Sequence, residues 1–260
     1  MTERFEFTRI VLGLPYSLPG HSMKLATELA NLLRLDLFGL FVEDENLKGL
    51  AALPFAREFR PLGGGWQPLN AEQVSHDIAI AQRNAEKMFT QAAKTLSTAS
   101  RFEVVSGSMA KAIASISRAE DIVLITEPEQ AADRASPQFF STLDAALRST
   151  AAVLLVPSRL ARHSGVIVAM AARPDDPSIA IARSIAGALG ERLVVVEKPA
   201  PGGGAPLGNV AERLIVLSRA DEPSPSAIAS TRQVPILLLE PIPRKYPAGG
   251  VSPDAGTRAR

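Results

Sequence analysis

Arg9-Ile10-Val11-Leu12-Gly13-Leu14 (RIVLGL), closed by Pro15, is the stretch on which the fold turns. It is short, apolar on both faces and rich in β-branched residues, the signature of a strand buried in a parallel sheet. After Pro19-Gly20 the period changes. Leu25, Ala26, Leu29, Ala30, Leu32 and Leu33 form the apolar stripe of a helix. Asp36 breaks it, and residues 37–42 (LFGLFV) supply a second strand. A strand, a helix and a strand in this space imply a right-handed crossover and parallel pairing.

Working outward, the alternation continues. Residues 71–98 carry Val74, Ile78, Ala81, Ala85, Met88, Ala92 and Leu96 near helical spacing. A strand at 102–105 ends in Ser106-Gly107, and a short helix at 110–118 places Ile113 and Ile116 inward. Residues 121–126 (DIVLIT) form a fourth strand, Pro137 opens a helix with Phe140, Leu143 and Leu147, and 151–156 form a fifth strand stopped by Pro157. One excursion interrupts this unit. Residues 43–70 hold Leu47, Leu50, Leu53, Phe55, Phe59 and Trp66, and we expect one short helix and an irregular loop there.

The pattern then restarts. Residues 1–158 make one complete α/β domain, and 159–164 a polar hinge. A second domain spans 165–240: a strand at 165–171, a helix from Pro177 ended by Gly190, and a strand at 192–196. A Gly/Pro linker at 199–208, a strand at 213–217, a short helix at 224–231 and a strand at 235–239 complete it. The linker stands where a helix, a strand and a further helix occur in the first domain. So small a sheet is expected to pack on the first domain. The tail, 241–260, is expected to be disordered. The fold class is α/β: two open parallel-sheet sandwiches, the second truncated.

Bulk properties narrow the function. With 28 basic and 27 acidic side chains the formal net charge is +1, too little to steer the chain onto nucleic acid or anionic lipid. There are no cysteines, hence no disulfides, thiol nucleophiles or zinc–thiolate sites. The first residues, MTERFE, do not read as a signal peptide, and no apolar run approaches the roughly 20 residues that span a bilayer. A cytoplasmic protein is expected. His21, His76 and His163 fall in separate segments without metal-ligand spacing, so no metal site is expected. His21 follows strand one, where α/β folds bind ligands, although an exposed turn histidine is the plainer reading. Glu43-Asp44-Glu45 can bind a cation, but a solvated loop accounts for it. There is no G-x-S-x-G nucleophile elbow.

Residues 9–14, a turn containing Ser17, and His21-Ser22 opening an Ala/Leu-rich helix resemble the start of the universal stress protein family. The strand 37–43, the Val104-Val105-Ser106-Gly107-Ser108 step into a helix, the strand 121–125 and the span 143–156 are similar to the corresponding family segments. The resemblance implies a Rossmann-like sheet of the adenine-nucleotide-hydrolase-like type. It also implies dimer-like pairing through the fifth strands, here within one chain as an internal pseudo-dimer.

In ATP-binding members of that family an Asp after strand one meets the adenosine, and G-x2-G-x9-G-[ST] after strand four holds phosphate. Here the Asp position falls near Leu14 or Pro15. After strand four the chain reads Thr126-Glu127-Pro128-Glu129-Gln130, and no glycine occurs between Gly107 and Gly165. Glycine would let backbone N–H groups approach phosphate, Pro128 lacks a donor, and the glutamates add negative charge. Ser141-Thr142 alone echo the terminal hydroxyl residue, and ordinary residues of a helix's first turn are the plainer reading. In the second domain Asp175 or Asp176 can contact a ribose, but an N-cap is the better reading. Gly202-Gly203-Gly204 lies between prolines with no helix start after it.

The expected function is therefore a non-catalytic, universal-stress-protein-like module with a degenerate nucleotide site, no cofactor and no ATP. It acts through protein contacts, as a homodimer or with a protein partner. The alternative is a small-ligand or nucleotide sensor. Its apolar pocket is built from Leu14, Tyr16, Phe41, Val42 and Thr126 beneath the 43–70 cover, with Ser17, His21, Ser141 and Thr142 as further candidates.

Overall fold

The computed structural model describes residues 7–14, 20–60, 64–197, 211–219 and 232–240. The 199–208 linker, the 224–231 helix, the 241–260 tail, Tyr16 and Ser17 lie outside the described residues.

Nine strands form one sheet in the order β5 (Ser100–Gly107), β2 (Asp36–Asp44), β1 (Arg9–Leu14), β6 (Asp121–Thr126), β7 (Ala152–Val156), β11 (Ile236–Leu239), β10 (Glu212–Ser218), β8 (Val166–Ala171) and β9 (Leu193–Glu197). In the first half, β1 lies between β2 and β6. The strand β5 flanks β2, and β7 flanks β6, all parallel. In the second half, β8 lies between β9 and β10. The strand β11 runs parallel to β10 and antiparallel to β7, with Ile236 opposite Leu155 and Leu238 opposite Val153. That pairing carries one sheet through both halves.

The inner strands β1, β6, β7, β8 and β11 are largely apolar because both faces are covered, whereas the edge strands β5 and β9 keep exposed residues such as Val104 and Val195. On one face Ile10, Leu12 and Leu14 pack with α1 (Gly20–Leu33), α3 (Ala71–Ala93) and α7 (Pro177–Leu189). On the other, Val11, Val123 and Val153 pack with α4 (Met109–Ile116) and α6 (Pro137–Arg148). Among the described residues no helix is long and apolar enough to cross a membrane.

Local chemistry sets the helix ends. Asn70 caps α3 through Glu72 and Gln73 N–H, and Ser108 caps α4 through Lys111 N–H. Asp176 caps α7, and Gly190 ends it at φ 66°, the left-handed conformation that glycine adopts without penalty.

The excursion at 43–70 departs from the expected loop. After α2 (Glu45–Ala51), β3 (Arg57–Arg60) and β4 (Gly65–Pro68) form an antiparallel hairpin. The expected α3 is also shorter at its end, because the chain turns at Lys94 rather than continuing to 98.

Candidate functional site

In an open α/β sheet the binding crevice lies outside the carboxyl ends of the strands, where the strand order reverses. The first half reverses at β1, between β2 and β6. The candidates at this end take different places. Leu14 and Phe41 are opposite each other in register and buried on the α1 face, whereas Val42 is buried on the α4 face. Strand alternation thus places the sheet between Val42 and the other two, so the three do not line one pocket. Thr126 ends β6, and its Oγ1 is buried with no hydrogen-bond partner. Ser22 Oγ, in the first turn of α1, is likewise buried without a partner.

His21 is half-buried in α1 rather than an exposed turn residue, and its Nε2 donates to the Pro157 carbonyl at 3.1 Å. It lines a small cleft between α1 and the 159–164 connection, with Lys24, Glu28, Arg162, His163 and Arg213. Arg213 is engaged there, paired to Glu28 and, at 3.2 Å, to Glu191. Folding thus brings together two histidines that are 142 positions apart in sequence. Among the described residues no three His, Asp or Glu side chains come together in a way that could hold a metal ion.

Ser141 and Thr142 lie on α6, and both hydroxyls donate to the Gln138 carbonyl, at 3.0 and 2.8 Å. Asp44 accepts from Asn46 N–H and caps α2, and Glu43 pairs with Lys48. These two carboxylates serve local structure.

The turn after β6 carries the decisive chemistry. Glu127 is buried, and its N–H donates to the Val156 carbonyl at 2.8 Å. Arg134 folds back from α5 (Ala131–Arg134) and donates through Nη1 to the Pro128 and Glu129 carbonyls, at 2.9 and 2.7 Å. The turn therefore offers carbonyl oxygens to a guanidinium. A phosphate site needs the opposite polarity, with N–H groups aimed at one point.

In the second half the reversal falls at β8, and Asp176 occupies its crevice. The carboxylate accepts from Ser178 N–H at 2.9 Å, Ala172 N–H at 3.2 Å and Ser218 Oγ at 2.9 Å. Burial disfavours its charge, but the hydrogen bonds from Ser178, Ala172 and Ser218 outweigh burial, and its pKa is lowered. The cap and the bond to Ser218 tie the ends of β8 and β10 together.

Compared with solved structures, the chain aligns with a universal stress protein from Archaeoglobus fulgidus DSM 4304 at TM-score 0.54. The identity is 10%, over 88% of this chain and 98% of that one. The fold is that of the universal stress proteins. A putative universal stress protein from Pseudomonas aeruginosa UCBPP-PA14 aligns at TM-score 0.50 and 15% identity, over 91% of this chain and 95% of that one. A functionally unknown protein from Pseudomonas aeruginosa PAO1 aligns at 0.51 and 15%, over 91% and 94%. No family model and no curated protein sequence matches the chain. In this chain the β6–α5 turn is built of glutamates, a proline and the Arg134 clasp.

Proposed function

We propose that this chain is a universal-stress-protein-like module that works in stress adaptation through protein contacts, without catalysis and without bound nucleotide. The observation that carries the reading is the β6–α5 turn, where Arg134 holds the Pro128 and Glu129 carbonyls beside the buried Glu127. Carbonyls turned to Arg134 offer a triphosphate no N–H group, the exposed Glu129 adds negative charge, and the guanidinium is already committed. Asp176, held by Ser178, Ala172 and Ser218, is equally engaged as a cap. The antiparallel β7–β11 pairing supports reading the two halves as an internal pseudo-dimer, which leaves other surfaces free for partners.

Isothermal titration with ATP, ADP and AMP tests this. No heat of binding at millimolar nucleotide is expected, and micromolar affinity for any of the three overturns the reading.

One observation favours a second reading, a polar small-ligand sensor at the first crevice. Ser22 Oγ and Thr126 Oγ1 are buried without partners, and a buried hydroxyl left unpaired costs roughly 1–3 kcal/mol. A ligand with hydrogen-bonding groups there would recover part of that cost. Under this reading Thr126→Val weakens binding of a small polar metabolite; under the first, it raises stability.

A further inference from the structure

Within the described residues, ten large apolar side chains are exposed, and five of them lie between residues 50 and 66. The β3–β4 hairpin shows why. Register places Arg57 opposite Pro68, Glu58 opposite Gln67 and Phe59 opposite Trp66. Alternation then sets Arg57, Phe59, Trp66 and Pro68 on one face and Glu58 and Gln67 on the other. Glu58 and Gln67 are the half-buried pair, whereas Phe59 is 57% and Trp66 62% exposed. The hairpin is inverted, its polar face turned inward and its aromatic face outward. Phe59 and Trp66 pack on each other at 5.4 Å between centroids, which presents them as one rigid surface. Ala56 is buried and accepts from Leu69 N–H at 2.9 Å, so the same alternation puts Phe55, 76% exposed, on the outward side as a third ring.

We propose that this face is a self-association surface, and that its occupant is the same face of a second copy of the chain, related by a two-fold axis. The area argues for it. At roughly 200 Å² for a fully exposed aromatic residue, the three rings present about 400 Å² of the roughly 800 Å² per partner that a specific interface buries. Leu50 and Leu53, in and just after α2, are exposed as well. The composition argues for it too: Trp, Phe and Arg are the residue types that anchor interfaces. A two-fold contact requires a patch that complements itself. Flat rings flanked by Arg57 meet that requirement, because each guanidinium can stack on the other copy's rings. The inference rests on the reading that the protein works through protein contacts, and names the contact.

The chain carries one tryptophan, so its emission reports this face alone. Sedimentation velocity of the full chain from about 1 to 100 µM, with the Trp66 emission followed over the same range, is the test. A monomer–dimer equilibrium is expected, with emission shifting to shorter wavelength as dimer forms. Phe59→Ser is expected to raise the dimer Kd at least tenfold while leaving far-UV circular dichroism unchanged, and Arg57→Glu to weaken it by removing the cation that stacks on the other copy's rings. A chain that stays monomeric with concentration-independent emission overturns the proposal, including the case in which a different protein or the chain's own tail covers the face. So does a dimer that neither variant weakens. Nucleotide titration does not enter these outcomes, so failure here is separable from failure of the non-nucleotide reading.

Discussion

Arg219, just past β10, donates through Nη1 to the carbonyl of Leu147 at the end of α6, at 2.7 Å and across 72 residues of sequence. The same nitrogen reaches the Ser149 carbonyl at 2.8 Å, and Nη2 bonds the Ala151 carbonyl. The last carbonyls of a helix have no partner within it, and a cation at that end also meets the negative pole of the helix dipole. One second-half side chain therefore completes a first-half helix. Burial lowers the guanidinium's pKa, and Glu240 acts in the opposite direction.

Removing this clasp is expected to be costly. Hydrogen bonds involving a charged group contribute roughly 1.5–3 kcal/mol each. Arg219→Ala should destabilise the chain by about 3 kcal/mol, since the three bonds are not additive. Arg219→Lys should recover less than half, because a single ammonium cannot reproduce the planar fork. Urea unfolding at neutral pH measures both. A loss under about 1 kcal/mol for the alanine variant would mean that water replaces the guanidinium at little cost.

A second cluster should be more sensitive still. Asp121 is fully buried and accepts from Arg9 Nε at 2.7 Å, Arg9 Nη2 at 2.9 Å and Arg118 N–H at 2.8 Å. Arg9 also donates to the Ile116 carbonyl at 2.8 Å and lies over the Phe38 ring. The Asp121 hydrogen bond raises the Arg9 pKa despite burial. Breaking a buried pair from one side leaves an uncompensated charge and costs about 3–5 kcal/mol. Asp121→Ala should fall in that range. The double variant Arg9→Met with Asp121→Leu should cost clearly less than the sum of its singles, as a double-mutant cycle by urea unfolding would show.

What could be read from sequence follows from burial. RIVLGL, DIVLIT and residues 151–156 announce themselves because strands covered on both faces are near-continuous apolar runs, with Arg9, Asp121 and Thr126 only at their ends. The hairpin does not. REFR and GWQP lack an apolar inward face, since Glu58 and Gln67 point inward, and Gly65 and Pro68 read as loop. Residues 14, 41 and 42 read as neighbours, but pleating sends Val42 to the opposite face from Phe41. The Arg134 clasp and the meeting of His21 with His163 depend on backbone geometry and tertiary packing, which periodicity does not encode.

Asp176 should confer an acid-sensitive increment of stability. Its folded pKa is depressed, so its contribution is complete above the unfolded value, near pH 4, and disappears as pH falls through the lower folded value. Asp176→Asn should cost about 1–2 kcal/mol at pH 7, in the range of lost N-caps. That difference should shrink as the pH drops below about 4, where the parent carboxyl also takes up a proton. Urea unfolding at stepped pH follows it. A difference independent of pH would assign the loss to shape rather than charge.

Two glycines should respond in opposite directions to the same change. Gly165 has φ 142°, and a Cβ there would lie 2.3 Å from the Ala211 carbonyl oxygen. That oxygen is fixed because it accepts from Val166 N–H at 2.9 Å, so it cannot retreat without breaking the start of β8 against β10. Gly165→Ala therefore combines a disfavoured backbone conformation with overpacking, each costing roughly 1–3 kcal/mol. Gly187 sits inside α7 with open space where a Cβ would go. Gly187→Ala adds a better helix former and should stabilise by about 0.5–1 kcal/mol. Thermal unfolding of both variants gives the comparison. The pair isolates backbone geometry from side-chain chemistry, since the atoms added are identical. If Gly165→Ala unfolded at the parent's temperature, the β8 start would have to be free to shift away from Ala211, and the register of β8 against β10 would be set by its apolar side chains alone.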